Sequence, residues 1–175
     1  MKEKLKAKLP AIAAGLMLLI ILVGLDQWTK WAIVKIIPIG QSLEVVPGFF
    51  ELTYLQNRGA AFSSMEGVGM WFFILLTLIA VGVMIYYFFK SSNPRIDFAL
   101  AMIMAGTLGN LIDRICFGYV RDFFRFYIFG HPFAVFNVAD VCITLGFVVL
   151  VVELLWSDWK DHKKAKEALK QEKKS

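Results

Sequence analysis

Charge is scarce in this sequence: 19% of its 175 residues are Asp, Glu, Lys or Arg, against 58% hydrophobic residues. So much apolar surface excludes a water-soluble globule and requires lipid as solvent. The only two cysteines, Cys116 and Cys142, lie in or beside apolar segments. Free cysteines there act as small hydrophobes, which argues against a disulfide or a metal role. The two histidines, His131 and His162, form no His-Glu-x-x-His pair, and no serine sits in a glycine-flanked elbow. The usual signatures of zinc peptidases and serine hydrolases are therefore missing. Internal repeats and low-complexity linkers are absent too, so residues 1–175 read as one domain.

Long apolar blocks are what is present. Residues 9–25, 67–89 and 98–112 are uncharged, and residues 133–156 carry only Asp140 and Glu153. A hydrocarbon core of ~30 Å takes about 20 residues of helix. The blocks predict an all-α integral membrane protein with transmembrane helices over about 9–35, 67–89, 96–116 and 133–156, followed by a basic tail, 157–175. The first helix continues past Leu25 because Asp26 and Lys30, four apart, meet on one face. A cleavable signal peptide is the alternative for the N-terminal run, but residues 24–28 offer no small-x-small site.

The net charge of +5 does not read as a nucleic-acid surface. Lys2, Lys4, Lys6, Lys8, Lys90, Arg95 and the lysines from Lys160 to Lys174 fall together if both termini are cytoplasmic. Lys30, Lys35, Arg58, Arg114, Arg121 and Arg125 lie on the other side, nearly matched by acids. Trp28 and Trp31 mark the outer interface. The tail reads as an anchor drawn to anionic lipid, helical or disordered.

Between the first two spans the pattern changes. Pro47-Gly48 signals a turn, and residues 51–56 alternate polar and apolar, which predicts a β-hairpin on the outer membrane surface. It ends in Asn57-Arg58-Gly59-Ala60-Ala61-Phe62. The second span reads as a plain anchor. On the third, Ala101, Ala105 and Gly109 form a flat strip for a neighbouring helix. Residues 117–132, aromatic but carrying Arg121, Asp122 and Arg125, predict an interfacial loop.

Asp140 is the strongest chemical signal. A charge inside the membrane costs ~2.5 to 3.5 kcal/mol on insertion scales, so chains seldom carry one without a use. Asn137 shares its face, and Asn110, Asp113 and Arg114 share a face at the end of the third helix. Topology brings Asp26, Asp113, Asp122 and Asp140 toward one outer interface. Two carboxylates in reach of each other share a proton, and such a pair hydrolyses peptides through activated water. Local ion pairs are the competing explanation: Asp26 with Lys30, Asp113 with Arg114, Asp122 with Arg121 or Arg125. Ser63 and Ser64 with Lys30 make a weaker Ser/Lys alternative.

The stretches Asp26-Gln27-Trp28-Thr29-Lys30, Asn57 to Phe62, Gly109-Asn110-Leu111-Ile112-Asp113-Arg114, Val120-Arg121-Asp122-Phe123 and Phe136-Asn137-Val138-Ala139-Asp140, in this order over four spans, resemble the lipoprotein signal peptidases, the signal peptidase II family of bacterial membrane aspartyl proteases. The resemblance implies a catalytic pair, Asp122 and Asp140, and cleavage of a prolipoprotein just before its diacylglyceryl-modified cysteine. It further implies that Asn57, Gly59, Asn110, Arg114 and Asn137 line or support the site, that Asp26 with Lys30 supports it, and that Asp113 braces Arg114. No cofactor or metal is implied; the expected partners are the lipidated substrate and membrane lipid, with the chain acting as a monomer in the bacterial cell membrane and its site near the extracytoplasmic face. A cation or proton carrier and a non-catalytic scaffold are the alternatives. Four spans without an inverted repeat argue against the carrier.

Overall fold

The computed structural model describes residues 2–59 and 70–172, in the order α1 Lys2–Ile36, β1 Ser42–Val46, β2 Phe50–Asn57, α2 Met70–Lys90, α3 Pro94–Phe117, β3 Val120–Ile128, β4 His131–Pro132 and α4 Val138–Glu172. Ala60, Ala61, Phe62, Ser63 and Ser64, which the motif and the Ser/Lys alternative invoke, lie outside the described residues. Four helices are long and apolar enough to cross a membrane: Lys8–Ile36, Trp71–Lys90, Pro94–Phe117 and Val138–Glu167. Their outer faces carry large exposed apolar side chains such as Ile20, Leu75, Val148 and Leu155, a cost in water and none in hydrocarbon.

α3 is the central helix, mostly buried, with α1, α2 and α4 all packed on it. Its limits follow from local chemistry. The Asn93 side chain accepts from the Arg95 N–H at the N-cap, Pro94 takes the first helical position, and Gly118 ends the helix in the left-handed region at φ 76°. Along the expected small-residue strip, Ala101, Ala105 and Gly109 are buried, and the same close approach extends to two glycines the strip did not include. A Cβ on Gly106 would run into the Ala139 carbonyl of α4, and one on Gly146 would lie 2.9 Å from the Ala99 carbonyl oxygen.

The strands form one antiparallel sheet in the order β1-β2-β3-β4. The expected hairpin is β1 and β2, turning through Pro47-Gly48. The segment expected as an interfacial loop extends it, because residues 120–128 are aromatic and β-branched enough to pair as a strand. Glu51 lies opposite Arg125 in the register, and their side chains pair at 2.8 Å. A bulge between Leu52 and Leu55 puts an extra residue into β2, the device that re-aims side chains near functional sites.

The start of α1, helical from Lys2 and not only from the apolar block at residue 9, and both ends of α4 differ from the sequence pattern. α4 begins at Val138, not near Phe133, because Phe136 bridges to Phe124 of β3 and Asn137 takes the N-cap position. At its other end α4 runs through Trp159 and the lysine-rich tail to Glu172, with Lys160 over the Trp156 ring and Lys163 over the Trp159 ring.

Candidate active site

The end of the bundle away from the termini gathers nearly all the buried polar groups: Asp26, Lys30, Asn110, Asp113, Arg121, Asp122 and Asn137. Asn137 is the N-cap of α4 and Asp140 its third residue. The Asn137 Oδ1 accepts from the Asp140 N–H at 3.0 Å, and Asp140 Oδ2 accepts from the Asn137 N–H at 3.1 Å. This reciprocal capping box clamps the Asp140 carboxylate at a helix N-terminus, where the dipole favours negative charge. The cap leaves the Asn137 side-chain amide pointing outward as a donor. It reaches Asp122 Oδ1 at 2.6 Å and Asn110 Oδ1 at 3.1 Å. One residue therefore holds both carboxylates, Asp140 through its backbone and Asp122 through its side chain.

Each of the other carboxamides has its direction set by a partner that only donates. Lys30 Nζ donates to Asn110 Oδ1 at 3.0 Å, so Asn110 Nδ2 faces Asp140 Oδ1 at 2.8 Å. The Gly59 N–H donates to Asn57 Oδ1 at 2.9 Å, so Asn57 Nδ2 faces Asp122 Oδ2 at 2.9 Å. Gly59 has φ 97°, which glycine adopts without strain, and that turn is what orients Asn57. Burial pushes the Asp122 carboxyl up from 3.8 to about 6; the Asn57 and Asn137 donors pull against this, and the Asp140 charge adds to it.

Beneath the pair lies a charge network tying α1 to α3, α4 and β3. Lys30, fully buried, is 2.9 Å from Asp26 and 3.4 Å from Asp113. Asp26 Oδ1 accepts the Ala139 N–H at 2.9 Å, so a side chain of α1 caps the first turn of α4. The local pairing of Asp26 with Lys30 is thus present, but the other two expected local pairs are not. Asp113 does not brace Arg114; it accepts from Arg121 Nη2 at 2.7 Å and from Arg121 Nε and N–H. The strand turns Arg121 back toward α3, whereas Arg114 points along the helix toward the carboxylate pair and makes no ion pair among the described residues. Asp122 pairs with neither Arg121 nor Arg125, because Arg125 is held across the sheet by Glu51. Arg114 donates only weakly to the Asn110 carbonyl, at 3.5 Å, and its guanidinium interacts electrostatically with Asp140 and then Asp122.

Two members of the network, Gln27 and Arg121, were not singled out as site residues. Gln27 donates to Asp113 Oδ1 at 3.1 Å and the Gly109 carbonyl at 3.0 Å, and accepts from Arg121 at 2.9 Å. Both sit inside the recognised stretches, which was the available signal. Their partners lie 86 and 8 residues away.

Comparison with known proteins finds relatives of this chain. The family model described as signal peptidase (SPase) II matches residues 18–156. The lipoprotein signal peptidase of Symbiobacterium thermophilum is 40% identical over 143 residues, covering 81% of this chain and 93% of that protein. That of Listeria monocytogenes serotype 4a is 41% identical over 140 residues, covering 79% and 90%. A solved bacterial membrane enzyme superposes with a TM-score of 0.77 at 37% identity, covering 82% of this chain and 94% of that one.

Proposed function

The chain belongs to the signal peptidase II family, and on that footing we propose that it is a membrane aspartic endopeptidase that removes the signal peptide from diacylglyceryl-modified prolipoproteins, cutting before the lipidated cysteine, with Asp122 and Asp140 as the catalytic pair. The observation that carries the residue assignment is Asn137, which holds both carboxylates at once, by side chain and by backbone. No other two aspartates among the described residues share a holder of this kind without a cation between them.

The chemistry follows from how the two sites differ. Asp140, clamped in the capping box at the α4 N-terminus, acts as the base; it takes a proton from the water that attacks the scissile carbonyl. Asp122, whose carboxyl is pushed up to about 6 by burial, holds the dyad's proton and gives it to the developing oxyanion; when the resulting diol collapses that proton returns to Asp122, and Asp140 passes the proton it took from water to the leaving amine, so both carboxyls end as they began. Arg114, with no ion pair among the described residues, meets substrate backbone beside the pair. Asn57, Asn110 and Asn137 keep the carboxylates aimed. Lys30, braced by Asp26 and Asp113, holds the Asn110 amide from below, and the Gly59 turn holds that of Asn57.

The membrane setting suits this substrate. Its acyl chains stay in the bilayer, so the scissile bond is held at interface depth, where the N-terminal turn of α4 and the sheet meet. The basic residues at the opposite end, Lys8, Lys90, Arg95 and the α4 extension, support a topology with both termini on the cytoplasmic side and the carboxylate pair near the extracytoplasmic face of the bacterial cell membrane. A monomer suffices for this mechanism, because Asp122, Asp140 and the amides that hold them belong to one chain.

The test is cleavage of a synthetic prolipoprotein peptide carrying diacylglyceryl cysteine, alongside the same peptide with free cysteine, with products read by mass spectrometry. The expected fragment begins at the modified cysteine, and the free-cysteine peptide is cut poorly. Cleavage at another bond, or equal cleavage of both peptides, overturns the proposed specificity.

A further inference from the structure

At the end of the bundle opposite the carboxylate pair, α2 and α4 both pack on α3 and scarcely touch each other. Between them lies a trough of about 710 Å³, walled by Met84 of α2 and by Leu150 and Leu154 of α4 and floored by Ile96 and Leu100 of α3. It closes at one end against the α2–α3 connection, Lys90 to Asn93. The volume lies within the ~300–1,000 Å³ of small-molecule sites, and the lining is apolar with a few polar groups at one end.

Most of the charges around that end are paired, and Lys160, close enough to Glu153 to interact with it, lies over the Trp156 ring. Lys8 pairs with Asp97 at 2.6 Å, and Arg95 with Glu153 at 3.2 Å. Glu153 also accepts from the Asn93 amide, and the Ser91 hydroxyl is engaged with the Asn93 backbone. Lys90 is left without a carboxylate among the described residues; its contact is the face of Tyr86, at 5.7 Å. Beside it the exposed Ser92 offers a hydroxyl.

We propose that this trough is a binding site for one phospholipid with a net negative headgroup, its phosphate on the Lys90 ammonium and the Ser92 hydroxyl and one acyl chain along Met84, Leu100, Leu150 and Leu154. A trough that opens to hydrocarbon fills with a lipid chain whatever the headgroup; the preference for an anionic headgroup comes from Lys90, which lines its mouth and, among the described residues, pairs with no carboxylate. A lysine near anionic headgroups makes that preference about fivefold. The site is independent of the catalytic assignment, from which it is separated by the length of the bundle.

The experiment is native mass spectrometry of the purified full chain in detergent, titrated with phosphatidylglycerol or phosphatidylcholine of identical acyl chains. The parent is expected to retain phosphatidylglycerol about fivefold more strongly, Lys90→Gln to bind the two lipids equally, and Leu154→Trp, which fills the trough from a half-exposed position, to retain less of both. Lys166→Gln, further along the α4 extension, is expected to keep the parent's preference. Equal binding of the two lipids by the parent, a preference that survives Lys90→Gln or disappears equally in Lys166→Gln, or unchanged retention by Leu154→Trp overturns the proposal.

Discussion

Lys30 Nζ donates to Asn110 Oδ1 at 3.0 Å, and that contact decides which end of the Asn110 amide faces Asp140. The ammonium has only donors, so the amide oxygen turns to it and the amide nitrogen turns to the carboxylate. The same ammonium lies between the Asp26 and Asp113 carboxylates.

Replacing Lys30 with Met therefore leaves two buried carboxylates without their shared cation. Removing one partner of a buried ion pair costs about 3–5 kcal/mol. Thermal unfolding in detergent is expected to show a large drop in midpoint, with loss of activity following loss of fold. A midpoint close to the parent's would mean that the network does not brace the fold.

Asp122 is held near 6 by burial, so its proton is lost as pH rises through that value. The rate constant kcat/KM is expected to fall on the alkaline side in the same range. The Asn57 donor favours the carboxylate form, and Asn57→Ala raises the Asp122 pKa and moves the alkaline limb to higher pH, by roughly one unit for one charge-assisted hydrogen bond. A limb that stays in place or moves to lower pH contradicts the role given to Asn57.

The same carboxyl couples to stability with a definite sign. Its folded pKa, about 6, is above the ordinary 3.8, so its stabilising contribution is complete below pH ~3.8 and is lost as pH rises through about 6. Asp122→Asn cannot titrate. The unfolding midpoint of the parent relative to that variant is expected to fall between about pH 4 and pH 7; a flat or rising difference would show that the carboxyl is not desolvated.

Gly106→Ala tests the packing of α3 on α4. The added Cβ collides with the Ala139 carbonyl, one residue before Asp140. Overpacking of this kind costs about 1–3 kcal/mol. Both thermal stability and kcat are expected to fall, since α4 has to shift with its capping box; unchanged behaviour would mean that the two helices are less tightly seated.

The four spans and the hairpin were legible because hydropathy blocks and a Pro-Gly turn are local signals. Asp140 stood out for a local reason as well, a carboxylate in an apolar run. What sequence neighbourhood misassigned were the partners. Asp113 precedes Arg114 but binds Arg121, and Asp122 follows Arg121 but binds Asn57 and Asn137, because the turn after α3 and the β2 bulge decide which groups face each other. The strand at residues 120–128 was hidden by its three charged residues, each of which has a partner inside the fold. The later start of α4 was readable in retrospect, since Asn137 and Asp140 stand at N-cap and third-residue spacing.

The most direct test of the central claim compares the parent with Asp122→Asn and Asp140→Asn on the lipidated peptide, at matched folding by thermal unfolding. Both variants are expected to bind the substrate and to lose cleavage, because neither can complete the transfer of the shared proton. If either variant, properly folded, cuts at near the parent's rate, that aspartate is structural and the carboxylate pair held by Asn137 is not the catalytic pair.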